Sequence, residues 1–345
     1  MFNILDVYQS KYLKAYWDAR KEEETKFVGI DELFGARKQF DNTIEQVKGK
    51  SGYIPALLLN AQDSKTVYRG RQELEVAVQK LPSFKEGMQV DEKHIIELMK
   101  LEGNPNRQLV EMVKSRMYND SYELYLSSRM TREIMINQLL STGTVSFTSN
   151  GVAFTANYAI TTETALTGNA QWSDTTNSDP LKDIRKMKKD AKINGVARAM
   201  CNSTTFDYIL NNTKVSKLLA NAHGVADVSD QDVIDLIYSR TKVRLYVNDT
   251  YYKSDTGADT QVFPDNIISL FPEGKLGDMV FAVTPEERVL MQKPDSNVSI
   301  VDEGVAICTH IEDDAVAIQT KVAMSCLPSL DILPDQIVSL KVVSA

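Results

Sequence analysis

The sequence predicts an α+β protein in which helices come early and strands gather late. Three observations carry that expectation. A long helix fits between Asn104 and Gly143, an Asn-Gly hairpin follows it at once, and alternating apolar and polar positions recur from residue 279 onward.

The helix is bounded by its own punctuation. Asn104 suits the N-cap, Pro105 the first helical position and Gly143 the residue just past the end. Within 105–142, Leu109, Val113, Met117, Leu124, Met130, Ile134 and Leu139 recur mostly at three- to four-residue or doubled spacing. About 38 residues rising 1.5 Å each make a rod of roughly 57 Å, longer than a small globular domain is wide. The stripe is too irregular for a heptad seam, so a helix crossing a flat subunit is expected rather than a coiled coil.

Next comes VSFTS, Asn150-Gly151, VAFTANY. Both turn positions tolerate positive φ, which makes this a two-residue hairpin. Setting Ser149 opposite Val152 places Phe147 across from Phe154 and Val145 across from Ala156. Residues 159–180, rich in Thr, Ser and Asn, predict a loop, and a helix starts after Asp179-Pro180. Residues 203–221 and 230–240 predict two more helical segments, the second capped by Ser229. RLYVNDTYY and IISLF, separated by the polar loop KSDTGADTQ, predict strands, as do MVFAV, VSIV, VAICTHI, AVAIQTKVAM and IVSLKVV.

The early chain is different. Residues 1–50 carry nine Lys/Arg and nine Asp/Glu with thinly spread apolar positions, so a first helix there cannot close a core alone. Residues 51–90 predict a two-stranded excursion, IPALLLNAQ then TVYRGRQELEVAVQKL, with Gly70 near the turn and alternation at Leu74, Val76 and Val78. An isolated hairpin is marginal in water, so a partner, most simply a neighbouring subunit, must support it.

Composition narrows the classes. The 345 residues hold 43% apolar side chains, enough for two modest domains, and the net charge of −8 argues against a protein devoted to gripping nucleic acid. Cys201, Cys308 and Cys326 are scattered and odd in number, as expected of buried thiols in a reducing compartment. The start lacks a secretion-signal pattern, and no apolar run approaches the roughly 20 residues a bilayer span needs; a cytoplasmic, membrane-free protein is expected.

Chemistry-bearing motifs are absent from the sequence. There is no Walker A pattern, dinucleotide fingerprint or Gly-x-Ser-x-Gly elbow. His94, His223 and His310 are far apart, and none has metal-ligand spacing to cysteine. Glu312-Asp313-Asp314 lacks calcium-loop spacing and fits a solvated turn between strands. The basic run 182–198 has six Lys/Arg against two Asp in 182–192. It could face nucleic-acid phosphates, but Leu181, Ile184, Met187 and Ala191 also fit a helix with one solvated cationic face. No catalytic residues, cofactor or metal site is expected.

In order along the chain, several segments resemble the major capsid proteins of tailed phages, the family typified by the phage lambda major head protein. IDELFGARKQF resembles that family's early Leu-Phe and basic segment, and RGRQELEVAVQKLPSFKEGMQVDEKHI its extended loop and return path. RMTREIMINQLLSTGTVSF is similar to the end of its long helix, Trp172 with Asp179-Pro180-Leu181 to its Trp…Asp-Pro segment, and FPEGKLGDMVFAVTPEE to its Pro/Gly turn and Thr-Pro-Glu step. The motifs are loose singly; their order over about residues 31 to 290 carries the resemblance.

The resemblance implies a tailed-phage major capsid fold. It places an N-terminal arm at 1–50, an extended β-hairpin loop at 51–90, and a peripheral domain at 91–196 with its spine helix at 105–142. An axial domain follows at 197–300, with return strands of the peripheral domain at 301–345. It implies a non-enzymatic shell subunit forming hexamers and pentamers that close into an icosahedral head around double-stranded DNA. Assembly contacts are expected at Tyr68, Arg69, Arg71 and Glu73 on the loop. A separate scaffolding protein, a portal and a decoration protein are the further partners implied, with DNA contacted non-specifically. Assembly is expected in the host cytoplasm. Some relatives weld subunits through a Lys–Asn bond; Lys65, Lys80 and Lys85 lie in or near the loop, but no such bond is expected here. The competing readings are a tail-tube subunit, which the long helix disfavours, and a soluble mixed-fold enzyme, for which no residue cluster stands out.

Overall fold

The computed structural model describes residues 9–20, 27–48, 75–99, 107–223, 229–254, 257–293, 297–312 and 317–344. In chain order, helix α1 (Ser10–Arg20) and a π-turn at Gly29–Leu33 precede β1 (Phe34–Gln39), β2 (Thr43–Lys48), β3 (Glu75–Lys80) and β4 (Ser83–Val90). Helices α2 (Glu92–Met99) and α3 (Arg107–Thr142) lead into β5 (Thr144–Ser149), β6 (Val152–Asn157) and β7 (Thr161–Thr162). Then come α4 (Pro180–Asp190), β8 (Ala197–Cys201), α5 (Ser203–Leu210), α6 (Thr213–His223), α7 (Asp230–Thr241) and β9 (Val243–Val247). The rest is β10 (Tyr251–Lys253), β11 (Asp259–Gln261), β12 (Ile267–Pro272), β13 (Gly277–Ala282), α8 (Pro285–Gln292), β14 (Val298–Val301), β15 (Val305–Glu312), β16 (Ala317–Leu330) and β17 (Val338–Lys341).

The chain divides into two compact units, each drawn from three chain segments. The first takes Met1–Ile44, Gln79–Glu133 and Gly277–Ser329; the second takes Glu45–Val78, Ile134–Leu276 and Leu330–Ala345.

In the first unit the sheet order is β1-β13-β16-β15-β14, with β4 also on β16. β16 is long because it serves two neighbours. It runs antiparallel to β15 from Met324↔Val305 to Ala317↔Glu312, and to β4 from Ser325↔Ser83 to Ile318↔Val90. β1 lies parallel to β13, Phe34 opposite Gly277 and Gln39 opposite Ala282. α1 packs on β14 and β15. Leu13 and Trp17, four residues apart and so on one helix face, are fully buried. The Ser10 amide donates to Asn297 Oδ1 at 2.8 Å, and Ser299 Oγ donates to Ser10 Oγ at 3.0 Å.

The helix at the start of the chain thus finds the covering surface it needs within the same chain. The few apolar side chains of residues 1–50 could not enclose a core by themselves, but strands from residues 277–312 supply the missing surface. Residues 83–90 are corrected: rather than part of a free loop, they are a strand of the main sheet.

The second unit holds a five-stranded sheet ordered β7-β17-β12-β8-β9. β12 runs antiparallel to β17 and β8, while β8–β9 and β17–β7 are parallel. Its core joins Trp172, Ile184 and Met187 with Ile209, Val233, Ile237, Val243, Ile268 and Leu270. α4 buries the expected face, Leu181, Ile184, Met187 and Ala191, and Asp179 caps it by accepting from the Lys182 amide. Ser229 forms a full capping box with Asp232 at the start of α7.

Residues 203–221 are two helices, not one. The chain breaks at Asn211–Asn212, where buried Asn212 starts α6 by accepting from the Lys214 and Val215 amides through Oδ1. The hairpin β5–β6 has the expected register, with Ser149↔Val152, Phe147↔Phe154 and Val145↔Ala156. Asn150 and Gly151 take φ of 51° and 75°, the left-handed pair this turn demands.

The compact units cut across the boundaries drawn at 197, 300 and 301. β13, α8 and β14 fall in the first unit, whereas β17 pairs with β12 in the second.

Candidate assembly surfaces

β2 and β3 form a two-stranded ribbon, closed at its base by the Leu81 amide donating to Asn42 O at 3.0 Å. Alternation puts Val76 and Val78 on one face, and both are exposed, by 53% and 66%. Phe40, in the turn between β1 and β2, is 79% exposed. That turn is braced by Gln39 Nε2, which donates to the Asp41 and Thr43 carbonyls at 2.9 and 2.6 Å. The ribbon thus presents apolar side chains on a stiff base. Tyr68, Arg69, Arg71 and Glu73 lie outside the described residues, as does IPALLLNAQ.

The irregular stripe of α3 has a physical cause. Ser121, Ser128, Arg129, Arg132, Glu133, Asn137 and Ser141 are buried along with the apolar positions, so polar contacts share the helix with packing. In the first unit, Glu133 accepts from the Gly29 and Ile30 amides, each at 3.1 Å. Arg129 pairs with Asp31 at 3.1 Å, and Arg132 reaches Asp302 Oδ2 at 3.2 Å. Asp302 also accepts from the Tyr125 hydroxyl at 2.6 Å, and the Tyr125 ring stacks on Trp17 at 5.3 Å. Together these contacts fasten the segment before β1, the hairpin tip at Asp302, and α1 to one stretch of α3. The sequence carried a signal for this: Arg129, Arg132 and Glu133 interrupt an apolar helix, and buried charges require partners.

A second charged cluster sits under α8, a helix that sequence reasoning missed although Thr284-Pro285 announces it. Thr284 caps it by accepting from the Glu287 amide. Glu286 and Glu287 face inward and are buried. Glu286 Oε1 lies 2.9 Å from Lys85 Nζ and 3.0 Å from Lys321 Nζ, and Glu287 pairs with Lys38. Burial pushes the Glu286 carboxyl up, but hydrogen bonds from Lys85 and Lys321 outweigh it and leave the pKa lowered. Lys85 is therefore engaged in an ion pair.

The basic run divides by role. Lys186 pairs with Glu163, while Arg185 donates to Arg240 O, and Lys188 to the Thr241 and Lys242 carbonyls at the end of α7. Arg198 lies on β8, so the run is a helix and a strand. His310 is exposed on β15; the side chains of His94 and His223 lie outside the described residues. Glu312 ends β15, paired across from Ala317; Asp313 and Asp314 lie outside the described residues. Among the described residues, no group of three or more potential ligands could hold a metal, and no helix is long and apolar enough to cross a membrane. Cys201 and Cys326 are buried and Cys308 half-buried; burial raises all three thiols, Cys308 to about 11 and Cys326 to about 12.

Solved structures place this α+β arrangement in a class. The putative capsid protein of a prophage of E. coli CFT073 matches with TM-score 0.54 at 13% identity, covering 78% of this chain and 80% of that one. A phage-related protein from Bordetella bronchiseptica RB50 matches with TM-score 0.55 at 10% identity, covering 95% and 96%. At these identities they show the fold, that of tailed-phage capsid subunits. The sequence itself goes further: residues 13–342 match the family described as phage major capsid protein E, and the chain belongs to that family. It is thus a structural protein of a phage virion. No curated protein matches it.

Proposed function

We propose that copies of this chain assemble through hexamers and pentamers into the icosahedral head that encloses double-stranded DNA, with no catalytic step. The observation that carries this reading is family membership over residues 13–342. The exposed valines of the β2–β3 ribbon support it, since a two-stranded ribbon with apolar side chains in water gains from a partner surface. In this reading the ribbon and the residues beyond it, Tyr68, Arg69, Arg71 and Glu73 among them, contact a neighbouring subunit. The second unit, built on 134–276, meets its copies at the local symmetry axes. A separate scaffolding protein, a portal and a decoration protein complete the partners, DNA is touched non-specifically, and assembly takes place in the host cytoplasm.

The test is electron microscopy and sedimentation of the full-length chain. Rings or shells are expected. The double substitution Val76→Thr and Val78→Thr should leave folding within about 0.5 kcal/mol while reducing the assembled fraction. A chain that stays monomeric at every concentration and salt, with no ring or shell, overturns the reading.

A further inference from the structure

α7 is strongly polarised, and the structure sharpens what its sequence alone sets up. Its first turn carries Asp230 and Asp232, with Asp235 one turn on; Asp230 and Asp235 are exposed. The opposite end is crowded with cations from three elements. Arg240 ends the helix, Lys242 follows it, and Arg244 lies on β9; all three are exposed. Arg185 and Lys188 arrive from α4, donating to the Arg240, Thr241 and Lys242 carbonyls at 3.1–3.4 Å. Lys242 and Arg244 both stand over the Tyr238 ring, at 5.2 and 5.7 Å.

Part of this suits the helix itself, since cations near its last carbonyls and anions near its first amides are each modestly stabilising. Five cations around one helix end exceed that need. Glu273, 3.0 Å from Arg244, supplies a counter-charge there. The Lys188 ammonium is held below its ordinary pKa by burial and by the nearby charge of Lys242, as expected where like charges crowd. A surface of this kind gains from an external anion.

We propose that the two ends of α7 are complementary halves of a head-to-tail contact, the acidic start of α7 in one copy seating on the cationic end of the next. This inference rests on the assembly reading above and names the surfaces that carry it. The anion is supplied by the same helix: at about 1.5 Å per residue, Asp230 lies about 15 Å and Asp235 about 7.5 Å along the axis from Arg240. Different patches meeting in every pair make a heterologous contact, which closes into a ring when the rotation permits. A copy of the chain is favoured as the occupant because the same helix carries the complementary acidic surface, so every copy brings both halves of the contact.

The test uses full-length chains, expressed alone and with the other head proteins of the same virus, with electron microscopy and sedimentation as readouts. One variant carries Asp230→Lys and Asp235→Lys, leaving the capping residue Asp232 in place; a second carries Arg240→Glu and Arg244→Glu. Like charges facing each other cost several kcal/mol, so each variant should assemble on the order of a hundredfold less readily. Equimolar mixing of the two, or all four substitutions in one chain, restores opposite signs across the contact and should recover rings. Circular dichroism checks the fold; if the cationic-end variant misfolds, the Asp230/Asp235 variant alone decides. Assembly of that variant at the parent level, or a cationic-end variant that loses only duplex-DNA binding, overturns the inference while the assembly reading stands. A parent chain that never assembles overturns the reading itself.

Discussion

Substituting Gly29 with alanine probes how the segment before β1 is held. A Cβ there would lie 2.5 Å from Glu133 Oε2 and 2.9 Å from its Cδ and Oε1. The φ of Gly29 is not positive, so the backbone accepts alanine, and the lost chain entropy of glycine even favours it by up to about 1 kcal/mol. The cost comes from the carboxylate. Glu133 is only 1% exposed and accepts from the Gly29 and Ile30 amides, so moving it away breaks two charge-assisted bonds. At about 1.5–3 kcal/mol each, less the entropic gain, Gly29→Ala should destabilise by about 2–5 kcal/mol. For domains of 150 to 250 residues this lowers the melting midpoint by on the order of 10 °C. Calorimetry of the parent, Gly29→Ala, Glu133→Ala and the double variant measures it. Glu133→Ala destabilises by itself, and in that background Gly29→Ala should cost nothing. An unchanged midpoint for Gly29→Ala, or an equal cost in both backgrounds, refutes the reasoning.

Other expectations follow from the same geometry. Burial raises the Glu163 carboxyl and the neighbouring Asp190 adds to it, against the opposing Lys186 ion pair. A raised carboxyl stabilises the fold below its ordinary value of about 4.3, and that contribution is lost as pH rises through the raised one; Glu163→Gln should flatten this part of the melting-midpoint profile. Gly151→Ala should cost about 1–2 kcal/mol in urea unfolding, because φ is 75° and nothing lies within 4 Å to add a clash. Thiol reagents should label Cys201 and Cys326 at mild alkaline pH only after denaturation, since both are buried with thiols pushed up; rapid native labelling would contradict this. Ile184→Ala, at a fully buried position of α4, should cost about 2–5 kcal/mol by thermal melt.

Local signals were the legible ones. The Asn150-Gly151 turn and the Asp179 and Ser229 caps act over a few residues, so the sequence displays them whole. β8 was missed because Ala197 and Ala199 are small, and its place between β9 and β12 depends on residues 40 to 75 positions away. The docking of α1 escaped notice for a similar reason: its floor is made by residues 298–312. α8 hid because its inward face is Glu286 and Glu287, the reverse of an amphipathic pattern, and only the distant lysines make that burial tolerable. The cationic end of α7 was half visible as the basic run 182–198. Its convergence with Arg240 and Arg244 belongs to the packing of α4 on α7 rather than to any one stretch of sequence.

The parallel pairing of β1 with β13 also sets an order of events during synthesis. Phe34 leaves the ribosome long before Gly277 does. At about 5–20 residues per second, roughly 12 to 50 s pass before the partner strand exists. Throughout that interval the edge of β1 lacks its partner strand and α1 lacks its floor of β14 and β15, with only α3 to lie on, while most of the second unit already has what it needs to close. A nascent chain in this state offers chaperones a defined early target, and a crowded polysome an opportunity for sticking between chains.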